Sequence, residues 1–136
     1  MDWKLELVVV PVSDVDRAKA FYTEKVGFNE DLDHRGSDKF RVVQLTPTGS
    51  ACSIAIGTGL SDMPPGSVQG LQLVVSDIEA ARAELVERGV EISEIREFVE
   101  GAWVSATPPF DDWNAFVFFN DPDGNGWAVQ QGPAHY

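Results

Sequence analysis

The sequence states one pattern twice. Val12-Ser13-Asp14 returns as Val75-Ser76-Asp77 at an offset of 63, and Ala18 and Ala20 then fall on Ala81 and Ala83. Further along, Pro47-Thr48-Gly49-Ser50 lies under Pro122-Asp123-Gly124-Asn125 at an offset of 75, with Gly57 under Gly132. A chain that repeats itself in order is built from two like units, and 136 residues suffice to bury a hydrophobic core.

Each unit opens on an apolar, β-branched run, Leu5 to Val10 and Gly70 to Val75, which reads as a strand. Ser13 or Asp14, and Ser76-Asp77 in the second copy, offer side-chain oxygens that cap a helix. Val15, Ala18, Phe21, Tyr22 and Val26 recur at helical spacing until Gly27; Ile78, Ala81, Leu85 and Val86 do so until Gly89. Strands are then expected over 28–34, 40–46 and 52–56, and in the second unit over 90–95, 115–119 and 127–131. Residues 58–68 are turn-rich, lack periodicity and read as a linker. The predicted fold is α+β: a single domain over 1–136, made of tandem βαβββ modules at 5–57 and 69–132. Their cupped, mixed four-stranded sheets carry the helices outside and leave concave faces for a ligand.

One stretch breaks the symmetry. Residues 97–113 hold Phe98, Trp103, Pro108, Pro109, Phe110 and Trp113, and are far longer than their counterpart in the first unit. A loop of more than about a dozen residues is usually a functional lid or disordered, and paired prolines with large aromatics favour an ordered lid. By contrast Asp121-Pro122-Asp123-Gly124-Asn125 is a dense turn signal between two apolar strands and predicts a hairpin.

Charge narrows the partners. Ten Lys and Arg against twenty-two Asp and Glu give a net −12, which repels phosphate backbones and argues against nucleic acid or an anionic membrane. The same field attracts cationic small molecules, although solubility alone accounts for it. No apolar run reaches the roughly 18 residues of a membrane span, and the first residues lack a signal-peptide pattern. A lone cysteine, Cys52, excludes an internal disulfide and fits the reducing cytoplasm.

Taken together, two strand–Val-Ser-Asp–helix–Gly units, the second closing on Asp-Pro-Asp-Gly-Asn, resemble the vicinal oxygen chelate superfamily. That superfamily includes glyoxalase I, extradiol dioxygenases, fosfomycin-resistance enzymes and bleomycin-resistance proteins. The resemblance covers residues 5–132 and implies paired βαβββ modules and a homodimer that completes the binding clefts. Family enzymes hold a divalent metal with His or Glu on inward strand positions. By the resemblance those positions are Leu7 and Gly70, five residues before the Val of each Val-Ser-Asp, together with Ala128 and its first-module counterpart Ser53. None is a useful ligand for a divalent cation. No metal, cofactor or catalytic residue is therefore assigned, and the resemblance points to the sequestering, bleomycin-resistance-like branch. In that branch a metal-free groove binds an aromatic or cationic natural product, such as an anthraquinone-like or enediyne antibiotic, without transforming it. The alternative is an enzyme of the superfamily, a lyase, isomerase or dioxygenase, working with a displaced metal site or with none.

The expected ligand-binding residues are Leu7, Val9, Ser53, Gln72, Trp103, Phe110, Trp113, Phe118, Ala128 and Gln130. Trp103, Phe110 and Trp113 would form an aromatic wall, with Asp111 and Asp112 beside it for a cationic group, or else fold the loop onto the sheet. Gln72 and Gln130 share strand parity with the vacated positions and are expected to face the cleft, contacting ligand or bridging to water and backbone. Trp127, of opposite parity, is assigned to the core, and Cys52 lies off the cleft parity. Phe116, Phe118 and Phe119 are expected to divide between the two faces of one strand. His34 and Arg35 are placed at the rim, and His135 in a mobile tail.

Overall fold

A computed structural model describes residues 1–134 and 136; His135 lies outside the described residues. The chain divides into two compact units, one comprising residues 1–68 with 121–125 and the other 69–120 with 126–136.

The first unit runs β1 (Leu7–Val9), α1 (Val15–Ala20, continued by a π-turn over Phe21–Lys25), β2 (Asn29–Ser37), β3 (Phe40–Thr46) and β4 (Ser53–Thr58). The four strands form one mixed sheet in the order β1-β4-β3-β2, with β1 parallel to β4. Asp14 is the cap that opens α1, its carboxylate accepting from the Arg17 N–H at 3.0 Å. Alternation along β3 and β4 assigns the faces. Val43, Leu45, Ile54 and Ile56 are buried together with Ala18, Tyr22 and Phe28, and Tyr22 stacks on Phe28 with centroids 5.6 Å apart. The opposite face, turned away from α1, carries Leu7, Val9, Val42 and Gln44 beside the buried Ser53.

One charged cluster pins this sheet to its helix. The Arg41 guanidinium, on the helix side of β3, donates to both carboxylate oxygens of Asp33 on β2 at 3.0 and 2.9 Å, and to Asp16 of α1 at 2.8 Å. Lys19 reaches Asp33 at 2.8 Å and Glu30 at 3.0 Å. Hydrogen bonds from Arg41 first, then Lys19, hold the Asp33 carboxyl well below the usual carboxylate range, and the same contacts raise Arg41 and Lys19.

The second unit runs β5 (Leu71–Val75), α2 (Ile78–Glu87), β6 (Arg96–Val99), β7 (Ala102–Ser105), β8 (Phe116–Asn120) and β9 (Gly126–Gln131). Asp77 caps α2 as Asp14 caps α1, accepting from Ala80 N–H at 3.0 Å. The sheet order is β5-β9-β8-β6-β7, again with its first strand parallel to its last. Val117, Phe119, Trp127 and Val129 are buried on the side of α2, where the Gln131 amide oxygen accepts from the first N–H of the helix at 3.1 Å. Trp127 is thus core, as its parity predicts, stacked on Phe119 with centroids 6.1 Å apart.

The α+β class with two mixed sheets flanked by helices is the one read from the repeat. The second sheet differs from expectation in strand count. Residues 90–95 make only an isolated bridge, Ile92 to Phe119, and the stretch read as a long aromatic lid contains a hairpin, β6–β7. Glu100 and Gly101 turn it with φ of 49° and 82°, the two successive positive angles of a tight hairpin turn. Glu is a poor signal for that geometry, so the turn was hidden in the sequence.

The Asp-Pro-Asp-Gly-Asn turn connects β8 to β9 and packs within the first unit. Asp121 is 4% exposed, yet both oxygens are satisfied. Oδ1 accepts from the Asp123 and Asn125 N–H groups at 2.9 Å, and Oδ2 from the Tyr22 hydroxyl at 2.8 Å and Asn125 Nδ2 at 2.7 Å. Asn125, fully buried, also donates to the Pro11 carbonyl at 2.8 Å and accepts from Val68 N–H at 3.1 Å. The motif that most resembles the superfamily is a structural knot.

Candidate functional site: the open face of the second sheet

The register of β8 with β9 places Phe118 opposite Ala128 and Phe116 opposite Gln130; β9 with β5 then places Ala128 opposite Gln72. These side chains share the face turned away from α2. Hairpin β6–β7 extends the row, because Arg96 pairs with Phe116 and Phe98 with Trp103. The Trp103 ring sits edge-on to Phe98, Phe116 and Phe118, each with centroids 5.0 Å away, while Phe116 and Phe118 lie parallel at 6.1 Å. Such edge-to-face geometry is the favoured packing of aromatic rings. Trp103 nevertheless remains 46% exposed and Phe98 48%. Asn114 fixes the hairpin here by accepting from Phe98 N–H at 2.9 Å and donating to its carbonyl at 3.2 Å, as a strand partner would.

At the other end of the row the polar groups are connected. Gln72 Nε2 donates to Gln130 Oε1 at 2.7 Å, and Gln130 Nε2 donates to the Trp113 carbonyl at 2.9 Å. The Trp113 indole lies over Gly132, where an added Cβ would come within 3.2 Å of the ring and 2.9 Å of Val74. Gly57, its repeat counterpart, is covered in the same way, since an added Cβ would meet Leu60 at 2.9 Å and the Arg41 carbonyl at 1.9 Å. The repeated glycine marks a close approach in both units.

The expected residues therefore separate. Trp103, Phe118, Ala128, Gln72 and Gln130 come together on one face, with Trp113 at its end against Tyr136, centroids 4.9 Å apart. Phe110 does not join them: its carbonyl accepts from Gln131 Nε2 at 3.0 Å on the α2 side, and Phe110 takes part in no ring pair among the described residues. Asp112 accepts from the same amide at 3.2 Å, away from the aromatic cluster. Phe98 and Phe116 enter the cluster unassigned by the sequence reading, although Phe116 has the parity of Phe118 and was legible on that ground.

In the first unit, Leu7 pairs with Ser53 and Val9 with Ala55 on the face turned away from α1. The Ser53 hydroxyl is 2.6 Å from Thr46 Oγ1 and accepts from Gln44 Nε2 at 3.2 Å, and Thr46 in turn donates to Asp31. Val9 lines a pocket of about 290 Å³ with Val12, Leu60 and Met63. His34, on β2 with its ring 6.4 Å from Phe40, and Arg35 are exposed.

One expected position is corrected. Gly70 precedes β5, in a left-handed conformation at φ 84°, and the residue across from Ala128 is Gln72. The second unit pairs its parallel strands two residues further along than the first, and a slip of two preserves which side chains share a face. Tested by donor chemistry, the four positions are thus an alkyl chain, a hydroxyl, a primary amide and a methyl, a poor set for a divalent cation. Among the described residues no three His, Cys, Asp or Glu side chains gather in a way that would hold one.

Residues 4–129 match the Glyoxalase/Bleomycin resistance protein/Dioxygenase superfamily. The chain belongs to that superfamily. Among solved superfamily-like structures it is similar to TnmS3, an antibiotic binding protein from Streptomyces sp. CB03234: 35% identity, 96% of this chain and 97% of that one covered, TM-score 0.75. A glyoxalase/bleomycin resistance protein from the same strain is 36% identical over 94% of this chain and 100% of its own, with a TM-score of 0.72. A further superfamily member, from Sphaerobacter thermophilus DSM 20745, is 26% identical over 96% of this chain and 98% of its own, with a TM-score of 0.75. No helix among the described residues is long and apolar enough to cross a membrane.

Proposed function

We propose that this protein binds a planar aromatic small molecule of the antibiotic type and holds it without metal-dependent chemistry. The observation that carries the reading is Trp103, half exposed in the middle of a ring cluster on the sheet face turned away from α2. Exposed aromatic surface of this kind is costly to leave in water and gains free energy when a flat apolar partner covers it. The register supports the reading as well, since it sets the Phe118 ring and the paired glutamine amides on either side of Ala128 in one cross-strand row. The similarity to an antibiotic binding protein points the same way. The net −12 favours cationic members of that ligand class. A homodimer that completes the binding surface, working in the cytoplasm, belongs to this reading.

The test is titration with anthraquinone-type and enediyne-type compounds, followed by tryptophan fluorescence, on the wild type and on Trp103→Ala. Saturable quenching that Trp103→Ala weakens is the expected result. Quenching that does not saturate, or that is unchanged in the variant, would defeat the proposal. Native mass of the same sample checks the dimer.

A further inference from the structure

The amide chain at the end of the aromatic row has a direction, and the direction is set by chemistry. A backbone carbonyl only accepts, so the 2.9 Å contact with the Trp113 oxygen requires Gln130 to present its Nε2 there. That turns Gln130 Oε1 toward Gln72, and the 2.7 Å contact between them requires Gln72 to spend one Nε2 hydrogen on it. Trp113 O thereby orients Gln72 through Gln130. What Gln72 keeps is its carbonyl oxygen and one N–H, on an exposed side chain directly across from Ala128. Phe118 lies on the other side of Ala128 in the same cross-strand row. With adjacent strands about 4.8 Å apart, the strands that carry the ring and the amide lie about 10 Å apart, the length of a tricyclic ring system.

We infer that Gln72 is a specificity-determining residue, and that the ligand class carries a hydrogen-bond donor beside a carbonyl on one edge of a planar polycycle, as a cis-lactam does. This rests on the aromatic-binding reading above. An acceptor and a donor on one fixed amide are met in full by a carbonyl and an N–H on one ligand edge. A ligand edge lacking the donor leaves the Gln72 oxygen without a partner once the ligand excludes water.

The experiment uses the tricyclic lactam phenanthridinone and its N-methyl derivative, which keeps the rings and carbonyl but has no donor. Both are titrated by calorimetry into the full chain and into Gln72→Leu and Gln130→Leu, with circular dichroism verifying that each variant is folded. The wild type is expected to bind the lactam roughly three- to tenfold more tightly than the N-methyl compound, the effect of one neutral hydrogen bond. In Gln72→Leu the ratio falls to about one. In Gln130→Leu it also shrinks, because Gln72 loses the contact that orients it. Equal wild-type affinities, or a ratio that survives Gln72→Leu, overturn the inference while leaving the aromatic reading intact. Absence of saturable binding for either probe overturns the inference, and overturns the aromatic reading beneath it only if anthraquinone-type compounds also fail to quench Trp103.

Discussion

Gln72 stands directly across from Ala128 in the parallel pairing of β5 with β9, the place Leu7 holds across from Ser53 in the pairing of β1 with β4. Both units therefore present a matched pair at the same point of the sheet, and neither pair contains a carboxylate, imidazole or thiolate. The Ser53 hydroxyl is already engaged by Thr46 and Gln44, and the Gln72 amide by Gln130. Protein exposed to Zn, Ni, Mn or Fe(II) and then gel-filtered is expected to retain far less than one metal per chain by elemental analysis. Retention of about one equivalent, abolished by substitution on either open face, would show that other groups supply the ligands and would restore the enzyme reading.

Trp103 should separate binding from folding. Its ring has three edge contacts, each worth about 0.5–1.5 kcal/mol, but is nearly half exposed, so Trp103→Ala is expected to cost roughly 1.5–3 kcal/mol of stability, toward the lower part of that sum. Loss of a central aromatic anchor from a binding surface typically costs more than about 2 kcal/mol, or upward of thirtyfold in affinity. Urea unfolding and ligand titration on the same variant measure the two numbers. A variant that loses stability heavily but keeps its affinity would place Trp103 in the core and not at the site.

How much of this was legible depends on which interactions repeat. The helix caps Asp14 and Asp77, the stops at Gly27 and Gly89, and the burial of Trp127 follow from patterns that local chemistry writes twice or from strand parity. Parity also gave the facing of Gln72, Gln130 and Ala128, because a two-residue slip between the modules leaves it unchanged. The slip itself was invisible, so Gly70 was read where Gln72 stands. Hairpin β6–β7 was missed for a different reason. Its turn needs two positive φ angles, and Glu100 at the first of them gives no local signal. Without that hairpin, Phe98 and Trp103 read as parts of a loop, and Phe110 looked equivalent to them although its backbone is tied to Gln131 on the α2 side.

Asn125 is the residue whose loss the first unit should tolerate least. Fully buried, it joins the Pro11 carbonyl, the Val68 N–H and the Asp121 carboxylate. Asn125→Ala leaves the half-buried Val68 N–H without its acceptor and takes one donor each from Asp121 and from the Pro11 carbonyl, which keeps the Gly66 N–H at 3.2 Å, so a loss of about 1–3 kcal/mol is expected in urea unfolding. Tyr22→Phe, which removes one of the donors to Asp121, should cost about 1–2 kcal/mol. A cost below about 1 kcal/mol for Asn125→Ala would mean that water replaces its bonds and that the turn is not the knot described above.

The acid limb of stability should run through Asp33. Arg41 grips both of its oxygens and Lys19 one, and these bonds hold its carboxyl below the usual range in the folded chain. A folded pKa below the unfolded one means that the contribution is complete above the unfolded value, about 3.9 for an aspartate, and is withdrawn as pH falls from there toward the folded value. Lys19 works in the opposite sense: raised in the fold, its contribution is complete below its unfolded value and lost only as pH climbs through the folded one. Neither group therefore gives slope between about pH 5 and 9, and acid is the informative direction. Arg41→Met removes the main donor and leaves Asp33 charged with only Lys19 beside it, so at pH 7 the variant should be clearly less stable than the wild type. Below about pH 4 the wild type gives up what Arg41 secured, and the gap between the two should close. Urea midpoints for both proteins from neutral pH down to about pH 2 test this; a gap that stays constant would mean that Arg41 stabilises the sheet by packing and not through the ion pair.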